Sequence, residues 1–72
     1  MDSCGLVRRM VAGSGKSARQ VSRDMGQSES YLSATLARGS SLSADNLARA
    51  ARACGYRIEA VRDSDGERIE LG

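Results

Sequence analysis

Residues 17–39 read SARQVSRDMGQSESYLSATLARG, and their spacing decides the fold. Ala18, Val21 and Met25 recur at i, i+3 and i+7, one face of a helix, directly after Ser17, a residue type that caps helix N-termini. Gly26 stops that helix after barely two turns and tolerates the positive φ of a tight turn. Ser28 reads as the cap of the next helix, with Glu29 in its first turn suiting the helix dipole. Leu32 and Leu36 then face inward, Ser30, Ser33 and Ala34 face outward, and Tyr31 sits at the border. Arg38-Gly39 ends the helix. Two short helices joined by a glycine turn make a helix-turn-helix, and Ser22 is the small residue its crossing point requires.

Upstream lies Ala12-Gly13-Ser14-Gly15-Lys16-Ser17, which ends like a phosphate-binding loop of the form G-x-x-x-x-G-K-[ST]. The opening glycine of such a loop would be residue 10, which is Met. The run before it, Leu6-Val7-Arg8-Arg9-Met10-Val11, has helical spacing where the loop needs a strand. The stretch reads instead as the stop of a first helix over Ser3–Ala12, capped by Asp2 or Ser3, followed by a loop and the Ser17 cap.

Downstream, Ser43 caps a fourth helix with Leu47, Ala50, Ala51 and Cys54 on its core side and Arg49 and Arg52 in water. Gly55 ends it, and the period then changes. Tyr56-Arg57-Ile58-Glu59-Ala60 and Glu67-Arg68-Ile69-Glu70-Leu71 alternate, with Asp63-Ser64-Asp65-Gly66 between them as turn chemistry. Pairing Ala60 with Ile69 sets Ile58 opposite Leu71 and Arg62 opposite Glu67. A slip by one sets Arg62 against Arg68 and Asp63 against Glu67, both repulsive. The expected fold is mainly α: four or five short helices with a helix-turn-helix, then a C-terminal β-hairpin. It forms one domain of 72 residues, with a helical part over 1–55 and a hairpin tail over 56–72.

A chain this short has a small core, and Phe, Trp and Pro are absent, so Leu, Val, Ile, Met and Ala must build it. His is absent too, which removes the commonest general acid–base group, and two cysteines cannot make a four-ligand zinc site. No enzyme, metal or cofactor is expected. Cys4 and Cys54 stand in small apolar helical surroundings, where a reduced buried thiol is the usual state. No signal-peptide pattern opens the chain and no apolar run is long enough to span a membrane, so a cytoplasmic protein is expected. Charge is uneven. Residues 1–54 carry eight basic side chains against four acidic ones, a net +4, and residues 55–72 carry three against five, a net −2. A polyanion partner suits the front of the chain only.

From "SARQVSRDMGQSESYLSATLARGSSLSADNLARAARACGY" the chain resembles the helix-turn-helix of Cro and CI phage-repressor type, also called the xenobiotic-response-element family, over roughly residues 5–56. Val21-Ser22 matches the family's Leu-Ala pair, Met25-Gly26 its apolar-Gly turn, and Leu32 the apolar residue inside its recognition helix. Arg38-Gly39 matches the helix end, and Leu47 through Gly55 the fourth helix. Ala18, Gln27 and the lack of Pro after Gly39 depart from the pattern. The resemblance implies a sequence-specific regulator of double-stranded DNA, a repressor in a phage, prophage or small autoregulated operon. Its base-reading residues would be Ser28, Glu29, Ser30, Ser33 and Ala34, with Tyr31 a further candidate. Glu29 can accept from a cytosine amino group, serines serve either edge, and Ala34 can meet a thymine methyl. Ser17, Arg19, Arg38, Ser40 and Ser41 would hold phosphates, with Arg8, Arg9 or Lys16 more peripheral. The bland readings are a cap for Ser28, packing for Tyr31 and a solvated face for Arg49 and Arg52.

An isolated hairpin is marginal in water, so Tyr56, Ile58, Ala60, Ile69 and Leu71 are expected to form a homodimer interface. The alternative is a protein-interaction module, such as an antitoxin-like subunit, whose hairpin docks on a partner protein while DNA binding is secondary.

Overall fold

The computed structural model describes residues 1–71: four helices followed by a two-stranded antiparallel hairpin. Helix α1 spans Ser3–Ser14, α2 Ala18–Asp24, α3 Tyr31–Arg38 and α4 Ala44–Ala53; the strands are β1, Ile58–Val61, and β2, Arg68–Leu71. Helix α2 packs on α3, and α4 packs on both α1 and α2.

Capping follows the sequence at three helices. The side chain of Asp2 accepts the Gly5 N–H at 2.8 Å, Ser17 accepts from Gln20 at 3.1 Å, and Ser43 accepts from Asn46 at 3.2 Å. Two boundaries differ from expectation. Helix α1 runs past Ala12 to Ser14, because the Ser14 hydroxyl donates to the Val11 carbonyl at 2.7 Å and accepts the Lys16 N–H at 3.0 Å. The stop is Gly15, and Gly13 stays helical with the Tyr56 hydroxyl so close that any Cβ there would overlap it.

The second difference is the start of α3. Ser28 does not cap it; the N-cap position is Ser30, which makes no side-chain cap bond. The Ser28 carbonyl instead accepts the Tyr31 N–H at 3.1 Å, closing a separate turn ahead of the helix. Glu29 therefore lies in that turn and not in the first helical turn. The missing cap comes from another helix. Ser22, fully buried on α2, accepts the backbone N–H of Leu32 at 3.1 Å and donates to the Ala18 carbonyl at 2.7 Å.

The core is Val7 and Met10 from α1, Val21 and Met25 at the end of α2, Leu32 from α3, and Ala50, Ala51 and Cys54 from the last helix. Thr35 and Ala48 are also buried, beyond the expected core faces. Leu47 is only half-buried and packs against the cluster. Both cysteines are buried and free. The hairpin has the expected register, Ile58 opposite Leu71 and Ala60 opposite Ile69, and Arg62 pairs with Glu67 at 3.0 Å across its loop. It projects from the helices: Ile58 packs on the core cluster, whereas Val61 and Ile69 are exposed. Among the described residues no helix is long and apolar enough to cross a membrane.

Candidate nucleic-acid interface

The turn Met25–Ser30 sets where α3 lies on α2. Gly26 takes φ 78°, open to no residue with a Cβ at low cost, and its N–H donates to the Arg23 carbonyl at 2.9 Å. The Gln27 N–H returns to the Ser22 carbonyl at 3.0 Å. With Ser22 also bound to Leu32, one residue of α2 ties down both ends of the turn. Gly39 closes α3 in the left-handed conformation, its N–H donating to the Leu36 carbonyl at 3.1 Å.

The outward side of α3 is small and open. Ser28, Glu29, Ser30 and Ser33 are exposed, Ala34 is half-buried, and Ala37 is exposed on the same face, one turn beyond Ser33. Ala37 is absent from the sequence-derived set, although its i+4 spacing from Ser33 marks it. Tyr31 is half-buried and packs against the core cluster, the packing role rather than a free aromatic.

Charges gather at both ends of this helix. Arg19 on α2 forms an ion pair with Glu29, which joins a phosphate candidate to a base-reading candidate ten residues away. At the other end, Arg8 of α1 donates to the Leu36 carbonyl at 3.2 Å, opposing the negative end of the helix beside exposed Arg38. Arg38 makes no ion pair among the described residues. The following loop is pinned from α1: the Cys4 thiol donates to the Ser40 carbonyl at 3.2 Å, and the Leu42 N–H donates to the Ser3 hydroxyl at 3.3 Å. Ser40 is thereby half-buried while Ser41 stays exposed. Ser17 is exposed and its hydroxyl already accepts the Gln20 N–H.

Lys16 stands elsewhere. Its ammonium donates to the Asp24 carboxylate at 2.9 Å and to the Ala53 carbonyl at 2.8 Å, joining the C-terminal ends of α2 and α4. That bond, with a second from Gln20, holds the Asp24 carboxyl below the usual carboxylate range. The lysine, the Ser17 hydroxyl and the Lys16 N–H of the GKS triplet are thus all engaged within the chain. Burial pushes the Cys54 thiol up, away from the reactive thiolate.

No protein family, curated protein or solved structure matches the chain.

Proposed function

We propose that this protein is a sequence-specific, double-stranded DNA-binding transcriptional regulator that lays α3 in the major groove and acts as a homodimer through its C-terminal hairpin. The observation that carries the reading is the outer face of α3. Ser30, Ser33, Ala34 and Ala37 present small side chains on a helix whose inner side is locked to α2 by Ser22 and Leu32. Small polar residues let a helix approach base edges closely, and the serines, with Glu29, supply donors and acceptors. Arg19, Arg38 and Ser41 flank that face as phosphate contacts, with Ser17 and Ser40 contributing mainly through backbone positioning. The resemblance to Cro- and CI-type repressors points to a repressor of a phage, prophage or small autoregulated operon. Free buried cysteines suit a reduced, cytoplasmic setting.

The test is selection from a random duplex library at several salt concentrations. Enrichment of a near-palindrome with half-sites roughly 34 Å apart supports the reading. Binding with no sequence preference at any salt overturns it. The exposed Val61 and Ile69 on the hairpin favour one other reading, a docking module for a different protein, which stoichiometric co-purification of that protein would reveal.

A further inference from the structure

The hairpin is exposed in an orderly way. Ile58, Ala60, Ile69 and Leu71 share one face of the two strands, and Glu59, Val61, Arg68 and Glu70 share the other. Ile69 is 64% exposed. On the polar face Glu70 lies directly opposite Glu59, a like-charge pair. Glu59 has counter-ions, Arg57 at 2.6 Å and Arg68 at 3.7 Å. Glu70 has no ion pair of its own among the described residues. Glu70 thus stands opposite another carboxylate on a strand with a free edge, attracted by Arg57 only from beyond ion-pair distance, so a cation in direct contact with it must come from outside the chain.

The edge itself indicates where that cation comes from. The Arg62 N–H donates to the Glu67 carbonyl at 2.8 Å, so by the alternation of an antiparallel ladder Ala60–Ile69 and Ile58–Leu71 exchange the hydrogen bonds inside the hairpin. Arg68 and Glu70 then direct their N–H and C=O groups outward along the β2 edge. We infer that a second copy of this chain pairs antiparallel along β2, with Ile69 on the two-fold axis facing Ile69 of the second copy. This deepens the homodimer of the reading above and rests on it.

Other registers fail on charge, on face or, centred on Leu71, by leaving Glu70 opposite no cation. An odd shift sets the apolar face of one copy beside the polar face of the other. Centring on Arg68 or on Glu70 places like charges against each other. Centring on Ile69 places Arg68 opposite Glu70 of the second copy, twice by symmetry, at the positions whose backbone groups are free to bond. The β1 edge offers one comparable register, centred on Ile58 with Arg57 opposite Glu59, but Glu59 already has Arg57 and Arg68 as counter-ions and Ile58 packs on the helical core; its other self-pairings set Glu59 against Glu59, Val61 or Asp63. The result is a four-stranded sheet, β1-β2-β2-β1, with one continuous apolar face and Glu70 neutralised across the axis.

Cysteine cross-linking tests the register in the absence of DNA. Ile69 would face its copy as a non-hydrogen-bonded pair, with Cα atoms about 4.5 Å apart, within the range a disulfide spans. Ile69→Cys should therefore give a covalent dimer under mild oxidation. Ala60→Cys, exposed on the same face but on β1, should not. Cys4 and Cys54 are buried and compete little. In a second arm, Arg68→Glu and Glu70→Arg should each weaken self-association, and mixing the two proteins should restore dimers of one chain of each kind. Cross-linking through Ala60→Cys instead of Ile69→Cys overturns the β2 edge. A dimer that forms neither link, or that is indifferent to Arg68→Glu, overturns the register while leaving homodimerisation standing. A chain that sediments as a monomer throughout overturns both, and DNA binding, measured separately, then stands or falls by itself.

Discussion

The hydroxyl of Ser22 caps Leu32 across the helix-turn-helix: the buried side chain of one helix accepts the N-terminal backbone N–H of the next at 3.1 Å. A helix leaves its first N–H groups without internal partners, and Ser30, at the N-cap of α3, makes no side-chain bond to them. Ser22→Ala would leave the Leu32 N–H buried and unsatisfied. We expect a loss of about 1–3 kcal/mol in a denaturant titration. Hydrogen exchange at the Leu32 amide should accelerate, while amides in α1 follow only the global loss. An unchanged midpoint would show that the bond contributes nothing.

That relationship also explains why some of the fold was legible in the sequence and some was not. The caps of α1, α2 and α4 are local signals, read from a residue and its own turn. The hairpin register follows from face alternation and from the charges at Arg62 and Glu67. The start of α3 misled because its cap lies ten residues upstream on another helix, leaving Ser28 and Glu29 in a separate turn. For the same reason, the exposed positions of the candidate interface could be read from periodicity, but the Arg19–Glu29 pair and the tethering of Lys16 could not. Both depend on which ends of helices meet.

Gly13 and Tyr56 should be coupled. Replacing a helical Gly by Ala ordinarily stabilises, by up to about 1 kcal/mol in a helix interior and less in the last turn, where Gly13 lies. Here the new Cβ would collide with the Tyr56 hydroxyl. Gly13→Ala should force the exposed Tyr56 ring to swing aside, so it should raise the melting temperature less in the parent than in a Tyr56→Phe background, where the obstructing oxygen is gone. Additive effects in the double-mutant cycle would contradict the contact.

Lys16 should act on stability and not on nucleotides. Asp24 has its carboxyl lowered by the Lys16 bond first and the Gln20 bond second. A folded-state value below the unfolded one means the contribution is complete above the unfolded value and is lost as pH falls through the folded value. Lys16→Met should thus reduce stability at neutral pH and flatten its acid dependence, and Asp24→Asn should largely mask the effect. ATP or GTP should leave the parent's melting temperature unchanged. A nucleotide-dependent rise that Lys16→Met abolishes would restore the phosphate-loop reading.

The residues proposed to face DNA divide by how their loss should depend on sequence. A base contact costs roughly 1–3 kcal/mol at one position of the operator, whereas a phosphate contact weakens every duplex and lowers the salt slope by about one. Ser33→Glu, alone or with Ser30→Glu, puts carboxylates on the small face of α3 and should abolish operator binding without unfolding the protein, since both positions are exposed. Arg38→Ala should weaken all duplexes alike. Glu29 is the discriminating case because its carboxylate is paired with Arg19. Glu29→Gln removes a negative charge and frees a cation, so affinity for non-cognate DNA should rise and its salt dependence steepen. On the selected operator the same change should cost affinity if the carboxylate accepts from a cytosine amino group. Opposite signs on the two DNAs would identify Glu29 as both a counter-ion and a reader. A gain on both would leave it a counter-ion only, and no change on either would remove the turn before α3 from the interface.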